Sequence, residues 1–264
     1  MSRIVFALLL VHSPTANAYV TSAGAVPIQR QVEWLKEMTI GICESQPGQL
    51  SAPELDQVSQ LMYAWSHLNK PNTEGALAVE SLVKRLLDEQ RAGNAPPLSV
   101  AEYNCLLQGW AACGKAERCD EIVTAMQENG PLPDRESFRS TLVAWKNSGA
   151  PYAPLRAQRI LEWMIRLYEN RENKQGLPDA ACFDTVLQTW SRSGRPEAPE
   201  RAEKLLLAME VFHRETGYSK VRPRRSSFNA VLQSWSNSVG RNELAADRSL
   251  SIVSFMELLA MDGD

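Results

Sequence analysis

The residues of this chain that could carry out bond-making chemistry are few. Its three histidines, at positions 12, 67 and 213, leave little material for a histidine base or a histidine-ligated metal. The five cysteines, at 43, 105, 113, 119 and 182, are odd in number and contain no C-x-x-C. Neither a disulfide framework nor a zinc module is indicated, and they read as small core residues. No G-x-G-x-x-G, Walker A, G-x-S-x-G, H-E-x-x-H or EF-hand loop occurs. These absences point away from an enzyme, a cofactor, a metal site or a small-molecule substrate. The one dense cluster of a single chemistry is basic. His213 to Arg225 holds Arg214, Lys220, Arg222, Arg224 and Arg225 against Glu215 alone. Such a segment can contact several phosphates, or can simply be a solvated loop between elements.

The rest of the composition limits how such a patch could be used. With 28 Lys and Arg against 31 Asp and Glu, the formal net charge is −3, so there is no global basic field to hold a nucleic acid. Any RNA contact must rest on local patches. The chain's 264 residues, 44% hydrophobic, fit one large globular domain or one array of small units and exclude a disordered chain.

Residues 1–26 read as a presequence. Arg3, an apolar run from Ile4 to Val11, and Ala16 and Ala18 flanking Asn17 have the layout of a cleavable signal peptide. Eight apolar residues cannot span ~30 Å of hydrocarbon, which needs about 20, and no other segment comes close. The mature protein is therefore expected to have no membrane span. The chain then continues without an acidic residue until Glu33. Signal peptide followed by an acid-poor stretch resembles the bipartite presequence of algae with secondary plastids, although Tyr19 stands where Phe is usual. A plastid destination is expected, with mitochondrion and the secretory pathway as alternatives.

The elements that would position any site are visible as a repeat. Trp65, Trp110, Trp145, Trp190 and Trp235 are spaced by 45, 35, 45 and 45 residues. The segments 103–110, 138–145, 183–190 and 228–235 align without gaps, each placing an aromatic, Leu and Trp at i, i+4 and i+7. That is the stripe of an amphipathic helix. Asp134 and Asp179 stand where an N-cap belongs, and Gly114, Gly149 and Gly194 where three of these helices should stop.

A second helix follows each first one, marked by an Arg eight residues before a Met: Arg118 and Met126, Arg156 and Met164, Arg201 and Met209, Arg248 and Met256. The 45-residue units add seven residues after the Met, about two helical turns, so the second helices should be the longer ones. An upstream unit reads the same way, with Val58 at the aromatic position and Leu86 at the Met position. Residues 27–46, with Trp34, Leu35 and Met38, look like an N-terminal cap helix ahead of an array over 47–264. Helical pairs of this kind cannot bury their apolar faces alone. The expected class is all-α, an α-solenoid of about five stacked antiparallel helical hairpins, with essentially no sheet.

Tyr103-Asn104 opening a first helix, Gly114-Lys115 in the turn, Met126 in the second helix and Pro133-Asp134 closing a 35-residue unit resemble the pentatricopeptide repeat family. The 45-residue units look like an extended variant of that repeat. The resemblance implies single-stranded organellar RNA as partner, bound along the first helices at roughly one base per repeat, in RNA processing, stability or translation. It implies reading residues just after each aromatic and just after each closing Pro: Asn104 with Asp134, Arg139 with Asp179, Asp184 with Arg224, and Asn229 opening a fourth pair. Arg214, Lys220, Arg222 and Arg225 would contact phosphate. The residue after the aromatic sits ~100° from the core stripe, so polar side chains there should face solvent. Gln108, Gln188 and Gln233 recur one turn further along that face. The other function carried by the same groove is a protein-protein adaptor.

Overall fold

The computed structural model describes residues 28–68, 73–238 and 244–261; the presequence expected over residues 1–26 lies outside them. Among the described residues there are eleven α-helices and no strand. They are α1 (Ile28–Glu44), α2 (Ala52–Ser66), α3 (Thr73–Arg91), α4 (Val100–Ala112), α5 (Ala116–Asn129), α6 (Arg135–Ser148), α7 (Ala153–Glu169), α8 (Ala180–Arg192), α9 (Ala198–Thr216), α10 (Arg225–Ser236) and α11 (Ala245–Met261). A 3₁₀ turn, Ser219–Val221, lies between α9 and α10. The chain divides into two compact units, and the boundary runs through α5: residues 114–123 belong with the second unit and 124–131 with the first.

The local signals that start and stop the helices act as the sequence implies. Asp134 accepts a hydrogen bond from the Ser137 amide at 2.9 Å, and Asp179 accepts one from the Cys182 amide at 3.1 Å. Each thereby satisfies an otherwise orphaned donor of the first turn. Ser99 and Ser51 make capping boxes with Glu102 and Glu54, which hold the two N-cap amides at 2.6 and 2.7 Å. Gly114, Gly149 and Gly194 all take left-handed backbone, with φ of 67°, 65° and 65°. At Gly114 a Cβ would also lie 2.8 Å from the Asn147 carbonyl oxygen, so a side chain is excluded there twice over.

In the first unit, α1 packs on α2 and α3, and α4 packs on both α2 and α3. Val58, Leu61, Met62, Trp65, Val79, Leu82, Leu107 and Trp110 form the core. Val58 and Leu86, the weak matches to the repeat, are buried as its pattern requires. A buried ion pair fastens α1 to α3. Arg85 meets Glu89 and donates to the Ile42 and Gln46 carbonyls, while Glu89 accepts from the Gly48 amide and from Asn94. Such a pair is tolerable without water because backbone and side-chain groups take up Arg85 Nε and Nη2 and both Glu89 oxygens.

In the second unit, each first helix packs on its own second helix and on the next first helix: α6 on α7 and α8, α8 on α9 and α10, α10 on α11. Phe138, Leu142, Trp145, Met164, Phe183, Leu187, Trp190, Met209, Phe228, Val231 and Trp235 are its core, and the repeated Trp residues occupy equivalent buried sites. Two of the four recurring arginines of the second helices have a job that their spacing alone did not reveal. Arg156 pairs with Asp120, and Arg248 with Glu203 at 3.3 Å. Both acceptors stand six residues before the Met of the preceding second helix. The same position takes the Trp indole of the first helix between: Trp145 donates to Asp120 at 2.8 Å and Trp190 to Gln158 at 3.1 Å. Trp235 has no acceptor among the described residues, and Glu203 is paired with Arg248 instead.

The extra residues of the long units are only partly helical. α5 continues three residues past Met126, α7 five past Met164 and α9 seven past Met209. The second helices are longer in those units, but the rest of each insertion is loop. In the loop after α7, Asn173 is buried, donates to the Pro133 carbonyl at 2.6 Å and accepts from the Gln175 and Gly176 amides. This side chain thereby supplies partners to three loop backbone groups that lie outside any helix ladder.

Candidate nucleic-acid interface

Two clefts open between successive first helices of the second unit, and together they hold most of the expected reading and glutamine positions found there. The first, about 480 Å³, lies between the N-terminal ends of α6 and α8 and is lined by Asp134, Arg135, Glu136, Arg139, Gln175 and Asp179. The second, about 600 Å³, lies between α8 and α10 and includes Gln188, Arg192, Ser226, Asn229, Gln233 and Asn237.

In the α6/α8 cleft the charged groups already have partners. Arg139 is exposed but holds Glu136 through two parallel bonds of 2.9 and 2.7 Å. That hydrogen bonding keeps its guanidinium pKa above the ordinary arginine value against some desolvation. Asp134 and Asp179 are committed as caps. Arg135, which the repeat pattern does not mark, is the organiser. Its amide donates to the Gln175 carbonyl at 3.0 Å, its Nε to the Leu177 carbonyl at 2.7 Å and its Nη2 to the Tyr218 hydroxyl at 2.9 Å. Its place directly after a capping Asp signals only the first helical turn.

Asp184 and Arg224, expected as one reading pair, do meet, but not as an exposed pair. Asp184 is only 6% exposed, which corrects the expectation that the residue after the aromatic faces solvent. Its carboxylate accepts from Arg224 Nη2 at 2.9 Å, Ser226 Oγ at 2.6 Å and Ser227 Oγ at 2.5 Å. The reason lies at α10. Arg224, Ser226 and Ser227, at and just after the N-cap of that helix, all turn their side-chain donors toward this one carboxylate, while the Arg224 amide donates to Ser227 Oγ at 3.1 Å. Arg139 and Asn229, at the equivalent positions, are exposed as expected, and Asn104 is half-buried on α4 in the first unit.

The cations of the basic segment are exposed: Arg214, Lys220, Arg222, Arg224 and Arg225 all face solvent. Arg214 holds Glu210 at 2.6 Å and Arg224 is bound to Asp184. Lys220 and Arg225 have no side-chain hydrogen bond or ion pair among the described residues. A further cation on the first helices, Lys146 of α6, lies outside the repeated pattern. Its ammonium pKa is held below the usual lysine value by burial and by the charge of Arg192.

Among the described residues no group of His, Cys, Asp and Glu could hold a metal ion, and no helix is long and apolar enough to cross a membrane. The cysteines are free thiols; Cys105, Cys119 and Cys182 are buried, and burial pushes the Cys182 pKa up to about 12. A thiol so far from its thiolate is a packing residue and not a nucleophile. No protein-family model matches the chain, and no curated protein matches it.

Proposed function

We propose that the chain is a binding protein, not an enzyme, for single-stranded organellar RNA, and that its hairpins continue as a pentatricopeptide-like solenoid. Its effect would fall on RNA processing, stability or translation in a plastid. The observation that carries this reading is the succession α6, α8, α10, each packed on the next. It sets equivalent polar positions of consecutive units side by side, in a unit that also carries the exposed cations Lys220, Arg222 and Arg225. Phosphate contacts from that cluster would supply affinity and the polar clefts a measure of selection.

A protein-protein adaptor is the second reading. It is favoured by the α6/α8 cleft, whose carboxylates and guanidinium groups are already engaged and whose three acids outnumber its two arginines. Fluorescence anisotropy of the folded chain with short single strands, over a salt series, separates the two. RNA binding should be salt-sensitive and only weakly selective. Absence of binding at low salt overturns the RNA reading and leaves the adaptor.

A further inference from the structure

The basic segment runs into two serines whose hydroxyls its phosphate-contact role does not use. Ser226 and Ser227 follow Arg222, Arg224 and Arg225, and each has an arginine two residues before it. No acidic residue stands between Glu215 and this pair. Spacing does not choose between the two hydroxyls, but burial does. Ser227 is fully buried, its Oγ 2.5 Å from Asp184 Oδ1 and 3.1 Å from the Arg224 amide that donates to it. Ser226 is exposed, and its Oγ donates a 2.6 Å bond to Asp184 Oδ2.

The chain leading to Ser226 is open as well. Backbone at Arg222 (φ −54°, ψ 133°) and Arg224 (φ −118°, ψ 168°) is extended, the form in which a peptide segment lies along an enzyme groove. Ser226 itself sits in the first turn of α10, where the leading amides have no acceptor within the helix. Lifting that turn loosens two backbone bonds, from the Ser227 and Phe228 amides to the Arg224 carbonyl at 2.8 and 3.2 Å.

We infer that Ser226 is a phosphorylation site, taken by a serine kinase whose acidic substrate groove holds the arginines before it. The Ser226 oxygen attacks the γ-phosphorus of ATP. The new O–P bond replaces the bond to the β,γ-bridging oxygen, ADP leaves, and the hydroxyl proton passes to the kinase's base.

The product rearranges the cluster. A phosphoserine carries about −1.5 to −2 charge at pH 7 and accepts through three oxygens. Here it stands among arginines at the start of a helix, where an anion is favoured, but beside the buried Asp184 carboxylate. Arg224, which Asp184 now holds at 2.9 Å, is drawn to the phosphate, and Asp184 keeps Ser227. A second consequence rests on the RNA-binding reading above: the phosphate offsets the cations of the segment and weakens attachment to a strand.

The test incubates the folded full chain with ATP, magnesium and a recombinant serine kinase selective for arginine two residues before its acceptor. Tandem mass spectrometry should place one phosphate per chain on Ser226, and the surface variant S226A should take up none. Phosphate on Ser227, uptake retained in S226A, or no uptake by the folded chain overturns the site. Phosphorylation should lower the melting temperature of the parent chain but not of D184N, which lacks the buried like charge. Equal shifts in both overturn the competition for Arg224. In anisotropy titrations the phosphorylated chain should bind single strands roughly tenfold more weakly, with a salt slope lower by about 0.7 for each strand phosphate given up. Unchanged strand binding overturns the regulatory consequence while the site stands. Phosphate on Ser226 with no strand binding by either form keeps the site and removes the RNA reading.

Discussion

The α6/α8 and α8/α10 clefts sit between equivalent helices, yet one is closed by its own chemistry and the other is open. In the first, Asp134 and Asp179 cap helices, Arg139 is clamped to Glu136, and Arg135 ties three carbonyl or hydroxyl oxygens together. In the second, the carboxylate that could have closed it, Asp184, is drawn beneath the start of α10, leaving amides and one arginine above. The difference comes from a single position. Where the residue after the closing Pro is Asp, it caps its own helix. Where it is Arg224, the side chain reaches to Asp184 of the neighbouring helix, and that reading position is consumed by Arg224 together with Ser226 and Ser227. Equivalent places in a repeat are thus not equivalent in function, because helix caps and ligand contacts draw on the same polar side chains.

The largest effect should come from the wall that both clefts share. Leu187 of α8 is fully buried, and L187A should cost ~2–5 kcal/mol by the usual cavity penalty. Urea unfolding measures it, and a loss below about 0.5 kcal/mol would mean the core face of α8 is wrongly assigned. Next is the clamp. D184A removes the acceptor of three side chains and should cost ~1–3 kcal/mol, whereas R224A, removing a half-exposed partner, should cost under about 1 kcal/mol. Equal costs would show that Asp184 acts mainly through the ion pair and not through the two serine hydroxyls.

A smaller loss, ~0.5–2 kcal/mol, is expected for D179A in the α6/α8 cleft, where one cap bond goes. Base selectivity should be unchanged in this variant; a change in selectivity would return Asp179 to the reading set. Smallest in stability is K220A/R222A/R225A, which should stay within about 0.5 kcal/mol of the parent because these side chains are exposed. In anisotropy titrations the same variant should bind all strands more weakly, with a salt slope lower by about 0.7 for each phosphate it no longer neutralises. Arg224 is left out because it is bound to Asp184.

Much of this was legible from spacing alone. Aromatic, Leu and Trp at i, i+4 and i+7 marked the first helices and their buried stripe, and the glycines at 114, 149 and 194 marked left-handed stops. These features are local: helical periodicity and backbone sterics operate within a few residues, so the sequence carries them whole. The recurring Arg before each Met was visible as a pattern but not as a contact. Arg156 finds Asp120 on the preceding second helix, 36 residues back, and only the packing of one hairpin on the next sets that register.

The candidate site was legible in its residue types and not in their use. From sequence alone, Arg139, Asp184 and Asn229 are the same position of the same helix, and each is polar. Tertiary structure decided that Arg139 folds back on Glu136, that Asp184 is buried under Arg224, Ser226 and Ser227, and that Asn229 is left exposed beside Gln188 and Gln233. A side chain's rotation about its own helix follows from its spacing. Whether it is then free depends on which donors the next helix brings within about 3 Å, and that is fixed only when the two helices pack.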